Sequence, residues 1–301
     1  MSIVYGSQRF RRSRRFPRAL TMAPAVAAVI VALAAAGCGP MGPLSARASD
    51  TWTHSYPLSK TGEVTIVNIN GKVEVEGVDG STLQVEAERI VRGATEQLAR
   101  DFLDRVPIEE HVTPDFVSIE TKRVVGFLIG ASYEVRYHVK APRSATVRAT
   151  TVNGGVVVRG MDGQVVARTT NGGVVATEIN GGIEARSVNG GVRVQLASLG
   201  GDRGQRVELS TVNGGVRVAL PETAKATVLA TWVNGGITMS GLQFEVKEES
   251  KRRFEGRLNG GGASIRLTTV NGGITLSTNL DGSSGQSRGT ADHSVPLAEA
   301  P

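Results

Sequence analysis

Residues 153–197 read NGGVVVRGM DGQVVARTT NGGVVATEI NGGIEARSV NGGVRVQLA, five consecutive nonapeptides that each open with Asn or Asp followed by Gly. Three positions after the opening residue stand Val156, Val165, Val174, Ile183 and Val192, all β-branched. Two positions further on come Val158, Ala167, Ala176, Ala185 and Val194, and the next place is polar in Arg159, Arg168, Thr177, Arg186 and Gln195. Apolar and polar residues alternating with period two, punctuated by glycine, are the pattern of short half-buried strands joined by turns.

Two architectures accommodate such units. Asn-Gly is a strong hairpin signal, so an antiparallel meander fits. The other is a β-solenoid in which each Asn-Gly-Gly makes a corner and two units make an 18-residue coil. Eight positions after the opening residue, at the last place of each unit, stand Met161, Thr170, Ile179, Val188 and Ala197, four of them apolar. In one flat strand that place has the wrong parity for the interior, and a corner restores it. Composition points the same way, since Trp232 is the single aromatic between Thr151 and Leu242 and a thin coil has room for stacked Val, Ile and Ala. The sequence therefore predicts an all-β fold, a parallel β-solenoid of about 18–21 residues per coil with Asn-Gly-Gly corners.

Asn-Gly-Gly occurs eight times, at Asn153, Asn171, Asn180, Asn189, Asn213, Asn234, Asn259 and Asn271, and Asp162 takes the same place in the regular series. These nine residues are read as structural turns. Stacking would align Asn153, Asn171 and Asn189 along one edge and Asp162 with Asn180 along the other. Asn tolerates the left-handed region and its amide can bond the amides above and below, while Gly lets corners approach closely. The wider later spacings read as coils with insertions. Phe244 to Arg257 is the most charged of these and reads as a solvated hairpin.

Residues 51–150 have the same character with less regularity. Strands are expected at Thr65–Asn68, Lys72–Glu76, Thr82–Arg89, Asp115–Lys122 and Tyr133–Lys140, and a helix at Ala94–Arg105 with Leu98, Phe102 and Val106 on one stripe. This aromatic-richer part is expected to be a β-rich amino-terminal cap over residues 51–150 that covers the open end of a solenoid over residues 151–278.

The first forty residues read as an address. Arg9, Arg11, Arg12, Arg14, Arg15 and Arg18 precede an Ala/Val/Ile/Leu run from Ala25 to Ala36, which ends at Gly37-Cys38. A basic region, a short apolar core and a small-residue exit describe a secretory signal over residues 1–37. Ala35-Ala36-Gly37-Cys38 resembles the lipobox of bacterial lipoproteins, with Ala35 where Leu is usual. Cys38 is accordingly the candidate lipidation site, and a membrane reached through that anchor the candidate partner; ordinary cleavage nearby is the other reading. Residues 38–50 suit a tether and residues 279–301 a disordered tail.

The formal charge of +6 belongs to that address, because without its six arginines the chain holds 28 basic and 28 acidic residues. A basic nucleic-acid-binding domain is thereby excluded. One cysteine permits neither an intramolecular disulfide nor a cysteine-based zinc site. The strands lack the aspartates of calcium-binding β-rolls. Glu178, Glu184, Asp202, Glu208 and Glu222 look scattered and out of register for a polysaccharide hydrolase or lyase, and His54, His111, His138 and His293 match no metal spacing. No cofactor, metal or catalytic residue is expected.

Two features could bind. Arg168 and Arg186 fall one coil apart and are candidates for contact with an acidic glycan, with Glu184 near Arg186. Val157 and Val175 are expected to stack outward, and the apolar loop over residues 124–131 is either buried or a contact surface for an envelope protein.

With Val-Asn-Gly-Gly-Val in view, the chain resembles the bacterial putative-adhesin family of unknown function with β-strand repeats. The resemblance spans about residues 60–278. It includes the early Asn70-Gly71, the helix after a strand pair, Ala141-Pro142 before Thr146, and the closing Leu258-Asn-Gly-Gly-Gly and Thr269-Val-Asn-Gly-Gly-Ile274. It implies an exported β-solenoid on the cell envelope and carries over no catalytic residue. The expected function is a non-catalytic structural or adhesin-like scaffold. A carbohydrate-active β-helix enzyme and a signalling accessory that binds a protein through its amino-terminal cap are the alternatives.

Overall fold

The computed structural model describes residues 44–124, 130–199 and 205–278. The signal segment, Cys38, the following residues to 43, the centre of the 124–131 loop, Asp202, His293 and the 279–301 tail lie outside the described residues, and residues 46–50, expected to be tether, instead form a strand paired with residues 89–93. No described helix is long and apolar enough to cross a membrane.

The amino-terminal third runs β1 (Ala46–Pro57), β2 (Glu63–Val67), β3 (Val73–Val78), β4 (Thr82–Gly93), α1 (Glu96–Leu103), β5 (Ile108–Thr113), β6 (Phe116–Thr121) and β7 (Ala131–Pro142). The regular repeats follow as β8 (Thr146–Asn153), β9 (Val156–Arg159), β10 (Val165–Asn171), β11 (Val174–Ile179), β12 (Ile183–Asn189) and β13 (Val192–Leu196). Next come β14 (Arg206–Asn213), β15 (Val216–Leu220), β16 (Ala226–Asn234) and β17 (Ile237–Ser240). The hairpin β18 (Phe244–Ser250) and β19 (Arg253–Leu258) precedes β20 (Ala263–Asn271) and β21 (Ile274–Thr278).

These strands form a parallel β-solenoid. One sheet, here sheet A, has the order β1-β4-β7-β3-β9-β11-β13-β15-β21-β17, and the facing sheet B has the order β18-β19-β16-β20-β14-β12-β10-β8-β2-β6-β5. Each coil contributes one strand to each sheet. The coils do not stack in chain order. The β2–β3 coil slots between β6–β7 and β8–β9, and the last coil, β20–β21, slots between β14–β15 and β16–β17. Stacking therefore begins before residue 151, because β2, β3, β6 and β7 carry the same alternation as the later repeats and pair with them in parallel.

The interior is built of aligned columns. On sheet B, Val64, Val147, Val165, Ile183, Val207, Ile265 and Val228 are in register, and on sheet A, Val73, Val156, Val174, Val192, Val216 and Ile274 are. All are essentially inaccessible to solvent. Burying each such side chain contributes about 1.5–3 kcal/mol before the entropy of ordering is counted.

The two halves of a coil differ, which corrects the expectation for the last place of the nonapeptide. Met161 and Ile179 are buried, but Thr170, Val188 and Ala197 face solvent. On sheet B the strand runs straight to its Asn, so period two turns Thr170 and Val188 outward and sends Thr169 and Ser187 inward. On sheet A, Glu178 adopts a left-handed φ of 57° and the register shifts, which returns Ile179 to the core. Val175 is half-buried on the outer face of sheet A, whereas its neighbour Val157 is 9% exposed.

Ends of the sheets are managed by antiparallel strands. Sheet A closes with β4 and β1, and sheet B closes with β5 at one end and the β18–β19 hairpin at the other. β5 and β18 carry exposed Glu109, Glu110, Glu245, Glu248 and Glu249, charges that discourage another chain from adding to the edge. The helix α1 is two residues shorter at each end than expected and is capped by Thr95, whose hydroxyl accepts from the Leu98 N–H at 3.2 Å. Its Ala99, Phe102 and Leu103 are buried where it packs on β1 and β4.

Corner packing fixes the approach of the coils. A Cβ placed on Gly172 would stand 2.0 Å from the carbonyl oxygen of Gly154 in the neighbouring coil, whereas one on Gly173 would lie 3.2 Å from the Gly191 oxygen. Only the first glycine of the pair is sterically obligatory. Gly172→Ala is expected to cost about 1–3 kcal/mol and lower Tm by roughly 5 °C or more. Gly173→Ala is expected to cost less than half as much in the same thermal melt; equal effects would show that corner contact is not the constraint.

Candidate functional site

The recurring motif builds a hydrogen-bonded column. Asn153 donates through Nδ2 to Asn70 Oδ1 at 2.8 Å, Asn171 to Asn153 at 2.8 Å, Asn189 to Asn171 at 2.9 Å and Asn213 to Asn189 at 2.8 Å. Asn271 then donates to Asn213 and Asn234 to Asn271, both at 2.8 Å. Seven amides thus point the same way, and aligned amide dipoles reinforce one another. The opposite edge holds a shorter column, with Asn180 donating to Asp162 at 2.7 Å and Ser198 to Asn180 at 2.9 Å. Asn259 is in a turn but off both columns. It has φ of 51° and its amide donates to the carbonyls of Glu222 and Ala224, because it leads out of the β18–β19 hairpin rather than into a stacked corner.

A second element of the motif was not anticipated. The residue two places before five of the seven stacked Asn is a buried hydroxyl that donates to the first corner glycine of the adjacent coil, and before Asn70 the buried Asn68 amide takes that place. Thr169 bonds the Gly154 carbonyl at 2.7 Å, Ser187 that of Gly172 at 2.8 Å, Thr211 that of Gly190 at 2.7 Å and Thr269 that of Gly214 at 2.9 Å. The signal was present as Ser or Thr preceding Val-Asn-Gly-Gly or Thr-Asn-Gly-Gly. Trp232 takes the same place in the end coil formed by β16 and β17, where it is buried instead.

Arg168 and Arg186 stand side by side in register on the outer face of sheet B, as expected from their spacing. They are not free cations. Glu184 Oε1 lies 2.6 Å from Arg168 Nη2 and 3.0 Å from Arg186 Nε, and Glu208 holds Arg186 at 2.8 Å and Arg206 at 3.0 Å. Glu184 and Glu208 are themselves in register, contrary to their scattered look in the sequence. The extra residues of the longer coil are accommodated between β13 and β14, so the strand alignment resumes unchanged. The result is an alternating ion-pair ladder that relieves the like-charge contact of the arginines.

Its electrostatics are those of a structural ladder. Partial burial disfavours ionisation of Glu184, but the hydrogen bond from Arg168 and the charges of Arg168, Arg186 and Arg148 outweigh it and hold the carboxyl below its ordinary range. A general acid of a glycoside hydrolase needs the opposite shift. Elsewhere, His54 and the Tyr56 hydroxyl meet Glu110, which ties β1 to β5. Burial and the Glu110 carboxylate raise the Tyr56 pKa, while the hydrogen bond from Tyr56 lowers that of Glu110. His138 lies 2.8 Å from Glu74, and the His111 ring packs near Phe116. Among the described residues no group of three or more His, Cys, Asp or Glu is placed to hold a metal.

A hollow of about 580 Å³ lies at the amino-terminal end of the Asn column, lined by Asn70, Lys72, Arg92, Tyr133, Glu134 and Gly154. Long strands β4 and β7 overhang the coil edge there. Of the apolar loop over residues 124–131, Val124 is buried, Gly130 has φ of 75° and Ala131 is buried; the rest is outside the described residues.

The ladder makes stability acid-sensitive. Glu184 has a folded pKa below its unfolded value, so its contribution is complete above the ordinary carboxylate pKa of 4.5 and disappears as pH falls through the lower folded value. Glu184→Gln is expected to lower Tm at pH 7 by an amount corresponding to about 1 kcal/mol, and the difference from wild type is expected to vanish below about pH 3. Thermal melts across pH 2.5–7 check this; a constant difference would show that ionisation of Glu184 is irrelevant.

The comparisons with known proteins follow this geometry. No curated protein matches the chain. Among solved structures, it is similar to a putative cell adhesion protein from Clostridium sporogenes at 10% identity, over 77% of this chain and 100% of that one, with a TM-score of 0.45. It is similar to a putative adhesin from Bacteroides fragilis at 10% identity, over 76% and 97%, with a TM-score of 0.35. A putative lipid binding protein from Parabacteroides distasonis is similar at 8% identity over 76% and 97%, with a TM-score of 0.30. Residues 132–277, the run from β7 to β21 that contains all of the corner columns except Asn70, match the model of the family described as Toastrack DUF4097.

Proposed function

We propose that the protein is a non-catalytic, adhesin-like scaffold of the bacterial cell envelope, presenting two stacked β faces for contact with other envelope components. The observation that carries this reading is the unbroken Asn column, in which the most repeated motif of the chain is spent on joining one coil to the next. The interior between the sheets is filled by packed side chains, and the outer faces repeat a short set of residues at the strand spacing of about 4.8 Å. Such a surface suits a partner that is itself extended and repetitive. The Toastrack match over residues 132–277 supports this reading.

The test is binding without turnover. The purified full chain, incubated with isolated envelope polysaccharide, is expected to sediment with it and to leave its chain length unchanged by size-exclusion chromatography. Shortened polysaccharide, with loss of that activity on replacing one glutamate, would overturn the scaffold reading in favour of a β-helix enzyme.

The amino-terminal address supports export and a lipid anchor at Cys38, which would hold the solenoid to a membrane through residues 39–45. Mass spectrometry of the protein isolated from membranes is expected to show diacylglycerol and acyl chains on an amino-terminal Cys38, and Cys38→Ser is expected to move it to the soluble fraction. An unmodified mature terminus beyond residue 38 would overturn the anchor.

A further inference from the structure

The outer faces of the two sheets differ in one respect that points to a ligand. On sheet B every stacked arginine of the 168–208 ladder has a carboxylate beside it. On sheet A, Arg193 of β13 and Arg217 of β15 stand directly in register, both exposed, and neither forms an ion pair or a side-chain hydrogen bond with any described residue. Their row continues as Val175 on one side and Thr275 and Thr238 on the other, with no acidic residue. The nearest carboxylate of that row, Glu74, is three coils from Arg193 and is engaged by Lys72 and His138.

Like charges in register on adjacent strands repel, and the chain answers this on sheet B with glutamate. On sheet A it leaves the pair open. The two arginines border a shallow hollow of about 250 Å³ with Val175, Gly191 and Gly215. Arginines on adjacent strands, about 4.8 Å apart at the backbone, can share a single planar or tetrahedral anion.

We propose that Arg193 and Arg217 form a binding site for the acidic substituents of an anionic polysaccharide whose chain crosses the coils of sheet A. The adjoining row of this face holds Gln195, Ala219, Ser277 and Ser240 in register, short neutral groups mostly able to hydrogen-bond sugar hydroxyls at successive coils, and Thr177 lies on the next coil across a register shift. Val175 gives the sugar ring an apolar floor. Nucleic acid is disfavoured as occupant, because its dense phosphates demand many basic contacts and these coils offer Arg193 and Arg217, with Arg159 two coils away. The proposal rests on the scaffold reading and specifies which face is used and for what chemistry.

The experiment compares wild type, Arg193→Gln/Arg217→Gln and Arg168→Gln/Arg186→Gln full chains by affinity electrophoresis. The gels contain polygalacturonate, dextran sulfate, neutral dextran or double-stranded DNA. Wild type is expected to be retarded by the carboxylated or the sulfated polymer in a salt-sensitive way, and not by neutral dextran or DNA. The sheet A variant is expected to lose about ten-fold in affinity, while the sheet B variant stays within two-fold of wild type. Relative retardation by polygalacturonate and dextran sulfate tells a carboxylate from a sulfate ligand. Thermal melts serve as the second measurement: the sheet A variant is expected to keep or raise Tm by relieving repulsion, so lost binding is not lost folding. Unchanged binding by the sheet A variant, loss only in the sheet B variant, equal retardation by DNA, or no retardation of wild type by either acidic polymer would each overturn the proposed site. Those results would leave the scaffold reading standing, which falls only if the polymer is cleaved.

Discussion

The carbonyl oxygen of one corner glycine occupies the space in which a side chain on the next coil's glycine would have to stand. That contact, repeated from Gly154 to Gly172 to Gly190 and again from Gly214 to Gly272 to Gly235, sets how closely the coils come together at this edge. Everything else at the edge is adjusted to it. With the backbones this near, neighbouring Asn amides meet at hydrogen-bonding distance. A buried Thr or Ser hydroxyl reaches the glycine carbonyl left over by the turn. A carbonyl removed from water without a partner costs about 1–3 kcal/mol, so the hydroxyl is as much a part of the corner as the glycine.

Close, regular coils leave a narrow interior in which each layer holds much the same small or branched side chains. Variation is therefore confined to the outward rows, the corners and the ends. Charge on the outward row of sheet B is balanced step by step by Glu184 and Glu208, and such exposed pairs add little stability individually while keeping a flat β surface soluble. The outward row of sheet A is uncharged from Val157 to Thr238 apart from Arg193 and Arg217. A molecule whose two faces share one backbone can thus keep one face electrostatically closed and the other open.

The ends carry the departures from regularity. Parallel stacking would expose bare strand edges, and antiparallel additions with acidic outer residues cover most of them. Both ends also tuck a coil inward out of chain order, so the end coil at each side is not the terminal one in sequence. The hairpin β18–β19 follows from this at the carboxyl-terminal end: it leaves β16 on the outside, pairs antiparallel with it, and returns the chain to the gap beside β14.

Much of this was legible in the residues themselves. Period-two alternation, β-branched composition and the nine-residue return of Asn-Gly-Gly determined strand, corner and coil, because each depends on neighbours a few bonds away. The hairpin at Phe244 to Arg257 and the capped helix after Thr95 were readable for the same reason. The tertiary structure alone decided which coil lies beside which, that Glu184 and Glu208 share a row, that Val188 faces out while Ile179 faces in, and that Arg193 and Arg217 stand together without a counter-charge. Those facts depend on register across coils, which is set by how corners of different length close and by which coil fills each gap. Spacing along the chain does not record either, since residues inserted at a corner change the count and leave the alignment of the strands intact.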